Sequence, residues 1–492
     1  MKKLKALMLI LLVSITTVGC FEDNDDTLIT TSEINDFVWK GMNVFYLYKD
    51  EIPNLANDRF SSNQQYADYL NTFSRPEELF ESLIYQRQTV DKFSWITPDY
   101  YANDDLLNGK DFTNGMQFTF IKRSETDPVR YGIVLYVLPN SSADLQGVKR
   151  GDIFYAVDGN NLYYNSSIDN NYALLNAKTY SIDLGTYDTN GTPETDDDFV
   201  IPLNQSIFLT KEEFTETPIH VSKTLTVNGK TIGYLMYNGF NGSSLELNNA
   251  FATFQSAGIE ELVLDLRYNL GGYNSKAILL SSLITGQFNG EVLSQRFYNN
   301  EIQSYYEAED PEFLLDRFIN NENGMTLNSL NLNKVYIITS TNTASASELV
   351  INSLNPYIDV VQIGTNTRGK YQGSFTVYDS PDFQKSGANP SHTYALQPLV
   401  FKYANIEGNT DFLYGLEPDI TLSETRGDLG ILGNENEPLL AEAISQITGT
   451  GKFGNLKGNI TITDEIKLLD ADGVLINDQE FPKAALQKLL SK

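Results

Sequence analysis

Apolar and polar positions change their period several times along this chain, and each change marks a unit. In INDFVWKGMNVFYLY (34–48) aromatic and apolar residues fall at mixed three- and four-residue spacing, which predicts an amphipathic helix. Ile52-Pro53 ends it, and NQQYADYLNTF and PEELFESLIYQ predict two further helices, so residues 31–105 read as a helical unit. Its aromatics are expected to pack a core rather than line a groove. Residues 163–231 alternate strands and turns. Beyond them TIGYLMYNGF, ELVLDLRYN and VYIITS are strand-like runs, while LNNAFATFQSAG, NSKAILLSSLI and ELVINSLN between and after them have helical spacing. That alternation predicts βαβ units and an α/β sheet core. EPLLAEAISQITG (437–449) reads as a last core helix stopped by a glycine. Residues 450–492 form an extension with a hairpin signal at Asp472-Gly473 and a terminal helix.

Three polar interruptions of this pattern carry candidate chemistry. The first is TASASE (343–348), where Ser345 stands between a buried strand and a helix. A nucleophile at such a turn has an exposed hydroxyl and the N–H groups of a helix start beside it. Lys370 follows 25 residues later, in the polar turn that closes strand VVQIG (360–364). Serine needs a neighbour to take its proton, and lysine serves only if burial or a nearby charge lowers its pKa. The third is the pair Gly271 and Gly272 after ELVLDLRYNL, since glycines after a strand let backbone N–H groups face a substrate carbonyl. An oxyanion hole needs two donors, and the Ala346 amide is the natural second. Each segment alone also fits a plain structural role: a close-packed helix start, a solvated lysine, an ordinary turn.

Together DLRYNLGG (265–272), TASASE (343–348) and RGK (368–370) resemble the C-terminal processing (tail-specific) serine peptidases with a Ser–Lys dyad. The resemblance spans about residues 30–448. It implies Ser345 as nucleophile, Lys370 as general base, and Gly271 or Gly272 with Ala346 as oxyanion hole, without metal or cofactor. It also implies an α/β multi-domain architecture: a helical N-terminal domain (31–105), a PDZ-like insert (106–212) and a crotonase-like (ClpP/crotonase) peptidase core (213–449). One position departs from the pattern. The family often carries a glutamine four residues after the lysine; here that residue is Ser374, and Gln372 lies two after it. On a strand Lys370, Gln372 and Ser374 would share a face, so either could orient the amine.

GIVLYVLPNSSADLQGVKRGDIFYAVDGNNL (132–162) similarly resembles a PDZ domain, a module that takes an extended peptide as an added strand and holds its terminal carboxylate on backbone amides. The resemblance implies Gly115, Met116 and Phe118 as peptide contacts, and proteins with exposed C-terminal tails as partners. A non-enzymatic peptide-binding lipoprotein on the same scaffold is the alternative.

The amino terminus gives an expected address. MKKLK, then ALMLILLV, then Gly19 before Cys20 form a signal peptide too short to span a membrane. Cys20 is the only cysteine, which excludes an internal disulfide, and it resembles the lipid-modified cysteine of bacterial lipoproteins, with Thr17 a mild departure. The acidic Phe21–Asp26 tether (20–30 overall) is similar to surface-export signals of Bacteroidetes-type lipoproteins. The expectation is a lipid-anchored protein of a Gram-negative cell envelope, on the periplasmic or surface side of the outer membrane. A net charge of −29 argues against nucleic acid and against electrostatic binding to anionic lipid. His220 and His392 lie far apart with no cysteine near, which argues against zinc, and GTPETDDDFV (191–200) matches no EF-hand spacing.

Overall fold

In the computed structural model the alternating core segments pair as one sheet in the strand order Ile219–Val227, Lys230–Tyr237, Glu261–Asp265, Lys334–Thr339, Asp359–Gly364, Ile420–Thr421. The first pair is antiparallel and the others are parallel. The structure describes residues 31–122, 127–192, 197–425, 429–449, 474–476, 486 and 488. The expected signal peptide, Cys20, the acidic tether and most of the C-terminal extension lie outside the described residues.

Helices Ser244–Ala257 and Ala346–Leu354 supply crossovers between parallel strands, as the alternating pattern predicts. Their ends follow capping chemistry. Ser243 accepts the Glu246 N–H, and Gly258 takes the left-handed conformation (φ 64°) that ends the first helix. Apolar side chains cover both faces of the sheet, because parallel strands need helices on each side. One face packs on helix Pro438–Thr448 through Leu439, Leu440 and Ala443. The other joins the largest core, shared by Phe251, Phe254, Leu280 and Leu349 with the N-terminal unit.

That N-terminal unit buries Phe37, Val38, Met42 and Phe45 from helix Thr31–Phe45, the predicted three/four spacing. The helix stops at Phe45 rather than at Ile52-Pro53. Tertiary bonds take over there: the Leu47 N–H donates to Leu399 O (2.8 Å) and the Tyr46 hydroxyl to Asp91 Oδ2 (2.7 Å).

The insert leaves and re-enters the rest of the chain through paired strands, Lys110–Thr113 against Glu212–Thr215. Beyond that neck an antiparallel sheet (Phe199–Thr210, Thr179–Asp188, Ile153–Val157, Tyr131–Val137, Met116–Ile121) packs with short helix Ser142–Leu145 around its own core, including Val134, Phe154 and Ile182.

A charged cluster fastens insert to core. Arg150 of the insert reaches Glu424, the Tyr268 hydroxyl (2.7 Å) and the carbonyl of Leu429 (2.9 Å). Arg267 lies wholly buried beside it and binds Asp265 (2.7 Å), Glu437 (2.7 Å) and Glu424 (3.0 Å). Burial opposes the Glu424 charge, but the Arg150 and Arg267 guanidinium groups hold its carboxyl down at about 2. A carboxyl depressed in the fold stabilises it above the ordinary pKa of 4.5 and loses that contribution as pH falls through about 2. Acid unfolding should therefore show a loss on the order of 3 kcal/mol across that window. Urea titrations from pH 5 to pH 2 check it: Glu424→Gln should be less stable at neutral pH and nearly flat where wild type declines.

Candidate active site

Strand Lys334–Thr339 ends in a turn from which helix Ala346–Leu354 starts, and Ser345 sits at the junction with φ 65° and ψ −112°. A residue with a side chain avoids this region at a cost of about 1–3 kcal/mol unless its surroundings impose it. Here they do. The Ala344 N–H donates to Asn269 O (3.0 Å), Ser347 Oγ donates to the same carbonyl (3.1 Å), and Thr343 Oγ1 donates to Leu266 O (2.8 Å). The turn is thus bolted to the DLRYNLGG loop. Ser345 is fully buried and its Oγ has no hydrogen-bond partner.

Glu348, one turn into the helix, joins this serine to the lysine turn. Its buried carboxylate accepts the N–H groups of Ser345 (2.7 Å), Gly369 (2.7 Å) and Lys370 (2.9 Å) and the Thr367 hydroxyl (2.5 Å). Burial leaves its carboxyl pKa raised, and these donors, Thr367 first, oppose part of that rise. Gly369 has φ 86°, and a Cβ there would stand 2.4 Å from Leu413 O, so the lysine turn needs glycine at this point.

Lys370 is fully buried too. Its Nζ lies over the rings of Phe93 (4.9 Å) and Trp95 (5.9 Å), a cation–π setting supplied by the N-terminal unit. Asp91 fixes that aromatic turn by accepting the N–H groups of Phe93 (3.1 Å) and Ser94 (2.8 Å) and the Tyr46 hydroxyl. Serine and lysine are therefore brought to one place by Glu348, yet Ser345 Oγ is not hydrogen-bonded to the amine in this conformation.

Strand Gln372–Ser374 follows the lysine. Gln372 Nε2 donates to the Tyr48 hydroxyl (3.0 Å) while its buried Oε1 has no partner. Burial pushes Tyr48 up to about 12, against the lowering effect of that bond. Ser374 Oγ accepts from Gln397 Nε2 (3.0 Å).

Gly271 and Gly272 have φ 105° and 139°. A Cβ on Gly272 would come within 2.6 Å of Phe240 O, so no other residue fits without displacing that backbone. The Gly271 N–H already donates to Asn269 Oδ1 (2.9 Å). Ala346 is the first helical residue, whose N–H has no acceptor within the helix.

A cavity of about 590 Å³ opens on the two glycines and is lined by Phe93, Trp95 and Tyr268 together with Gln117, Tyr136 and Leu138 of the insert. In the insert, the N–H groups of Gly115 and Met116 donate to Thr113 Oγ1 (3.1 Å) and Asn114 Oδ1 (3.0 Å), and Phe118 packs edge-on against Phe154 (5.2 Å). Their strand, Met116–Ile121, is the outermost of its sheet. Among the described residues no group of three or more His, Cys, Asp or Glu side chains is placed to hold a metal ion.

Residues 231–422 match the model of peptidase family S41, and residues 33–95 match that of the peptidase S41 N-terminal domain. The two matched stretches follow in chain order, the N-terminal model first and the peptidase model after it. Over 240 residues it is 25% identical to carboxyl-terminal-processing peptidase 1, chloroplastic, of Arabidopsis thaliana. That match takes in 48% of this chain and 43% of the plant protein, so it spans under half of that relative's length. The crystal structure of a protein assigned as an S41 protease from Bacteroides fragilis NCTC 9343 superposes with a TM-score of 0.65 at 25% identity, covering 84% of this chain and 97% of that one. Ser345, Lys370, Glu348 and both glycines lie inside the S41 match, and Phe93 and Trp95 inside the N-terminal one.

Two contributors escaped the sequence reading. Glu348 stands three residues after Ser345 in the Ser-x-x-Glu pattern of a capping box, a signal that was there to find. Phe93 and Trp95 meet Lys370 across some 275 residues of chain, and only the aromatic density of DKFSWI hinted at them. Replacing Glu348 by glutamine leaves one acceptor oxygen for four buried donors, at a cost of about 2–4 kcal/mol. Chemical denaturation should report that loss, and amide exchange should quicken at residues 367–371 before the rest of the core.

Proposed function

We propose that this chain is a serine endopeptidase of the C-terminal processing type, acting through Ser345 and Lys370 on a crotonase-like core. The observation that carries the reading is the strained Ser345 turn tied by the Glu348 carboxylate to the backbone of Lys370. Strain of this kind is kept where function demands it. Ser345 Oγ attacks the scissile carbonyl carbon while the neutral Lys370 amine takes its proton. Only a lysine without its extra proton can act as this base. The oxyanion of the tetrahedral intermediate is received by the N–H of Ala346 and that of Gly272, since the Gly271 amide is committed to Asn269. Lys370 then gives its proton to the leaving amine, later draws one from the water that attacks the acyl-enzyme, and returns it to Ser345 Oγ as the ester bond breaks. Gln372 is the better candidate to orient the amine, because its buried Oε1 still has acceptor capacity whereas Ser374 Oγ already receives Gln397.

Ser345 Oγ carries no hydrogen bond in the conformation described, so the catalytic bond from Oγ to the lysine amine would form when substrate enters. The PDZ-like insert would supply the substrate. Its outer strand Met116–Ile121 is an edge to which a C-terminal tail can add, and the cavity runs from Gln117 on that strand to Gly272. Because the Gly115 and Met116 amides have local acceptors, strand addition beside Phe118 rather than carboxylate capture is the main contact. Lipidation at Cys20 would hold the enzyme at the outer membrane; no helix among the described residues is long and apolar enough to cross one.

The test is cleavage of an unstructured reporter with an apolar C-terminal tail. Ser345→Ala and Lys370→Ala, each shown to be folded, should lower kcat/KM by at least about 10³-fold. Wild type should be labelled at Ser345 by a serine-directed acylating probe, and Lys370→Ala should not. Tail binding without cleavage or labelling would replace this reading with that of a peptide-binding lipoprotein.

A further inference from the structure

Strand Gly271–Tyr273 does not pair directly with strand Gln372–Ser374; residues Val474–Ile476 lie between them. Gly271 faces Val474, Gly272 faces Leu475 and Tyr273 faces Ile476, all parallel, while Ser374 faces Ile476 from the other side. A piece of the C-terminal extension thus stands between the glycines of the candidate oxyanion hole and the strand that follows the lysine. Ile476 is buried and forms part of the wall of the 590 Å³ cavity, near Phe93, Trp95 and Gly272. Downstream, Leu486 is buried in the main core and Lys488 bonds Glu309 (2.7 Å), so the chain is held after the strand as well.

We propose that Val474–Ile476 is a resident occupant of the substrate-strand site, an internal competitive inhibitor displaced by an extended peptide with an apolar side chain at the Ile476 position. The inference rests on the peptidase reading for the word substrate, not for the occupancy. Three observations support it. Without this segment, strands 271–273 and 372–374 would face each other across a slot with unpaired backbone groups on both sides, which any extended peptide could satisfy. The occupant is only three residues long, too short to bind well by itself, but tethering gives it an effective concentration in the millimolar range. And both Ser345 and Lys370 have no exposed surface although a large cavity reaches the glycines beside them.

The experiment uses the full chain with two separate substitutions. Ile476→Asp removes the apolar contact, and Leu475→Pro deletes a backbone donor from the strand. A labelled peptide copying residues 468–480 is the binding probe, read by fluorescence anisotropy. Both variants should bind that peptide at concentrations where wild type does not, and should cleave the reporter with KM lowered about tenfold and kcat retained. The free peptide should compete with the reporter for both. Unchanged KM together with no peptide binding, in variants shown to be folded, would overturn the proposal. So would loss of the C-terminal segment in wild type but not in Ser345→Ala by intact mass, which would make it a substrate instead. If no reporter is cleaved by any form, the binding arm still decides occupancy, and only the peptidase reading fails.

Discussion

The site depends on one buried carboxylate. Glu348 takes no part in the proposed chemistry, yet it gathers the backbone N–H groups of Ser345, Gly369 and Lys370 onto two oxygens with no exposure to water. Hydrogen bonds to a charged acceptor are about twice as strong as neutral ones, and inside a core nothing else can replace them. Two loops that end different strands are thereby fixed to the same point. The unfavourable φ of Ser345 and the glycine required at 369 are local consequences of that convergence.

A second cluster repeats the strategy at larger scale. Arg150 from the insert and Arg267 from the core share Glu424, and Tyr268, which also meets Arg150, belongs to the loop that ends in Gly271 and Gly272. Tyr136 of the insert stacks on Tyr268 (5.5 Å, 22°). The insert therefore touches the loop of the candidate oxyanion hole through both a charge network and an aromatic face. A full set of partners is what makes such buried charges tolerable, since losing one would leave the others desolvated and unmatched.

How much of this the sequence disclosed follows from the range of each interaction. Ser345 at a strand-to-helix turn, the glycines after ELVLDLRYN, and the helix stopped at Gly449 were legible because period, caps and turn residues act within a few positions. The α/β alternation was legible for the same reason. The end of the first helix was misplaced because Leu47 and Tyr46 find partners at Leu399 and Asp91, which no local pattern reports. The aromatic seat of Lys370 was missed on the same ground. The extension after 449 gave no placement because its described strand is three residues long and both of its neighbours lie far upstream. The choice between Gln372 and Ser374 stayed open in the sequence, since both share the lysine's face and their hydrogen-bond partners, Tyr48 and Gln397, lie elsewhere in the chain.

The neck formed by Lys110–Thr113 and Glu212–Thr215 has a consequence for how such a chain can change over time. Entry and exit lie one strand spacing apart, about 5 Å, so the core is blind to the length of what hangs between them. Loops there can grow, shrink or be traded for those of a relative without moving a core strand. The contacts of the insert with the core restrain that freedom, because whatever replaces it must still present a cation to Glu424 and an apolar face to Tyr268. Recognition and bond-breaking can therefore diversify at different rates within one polypeptide.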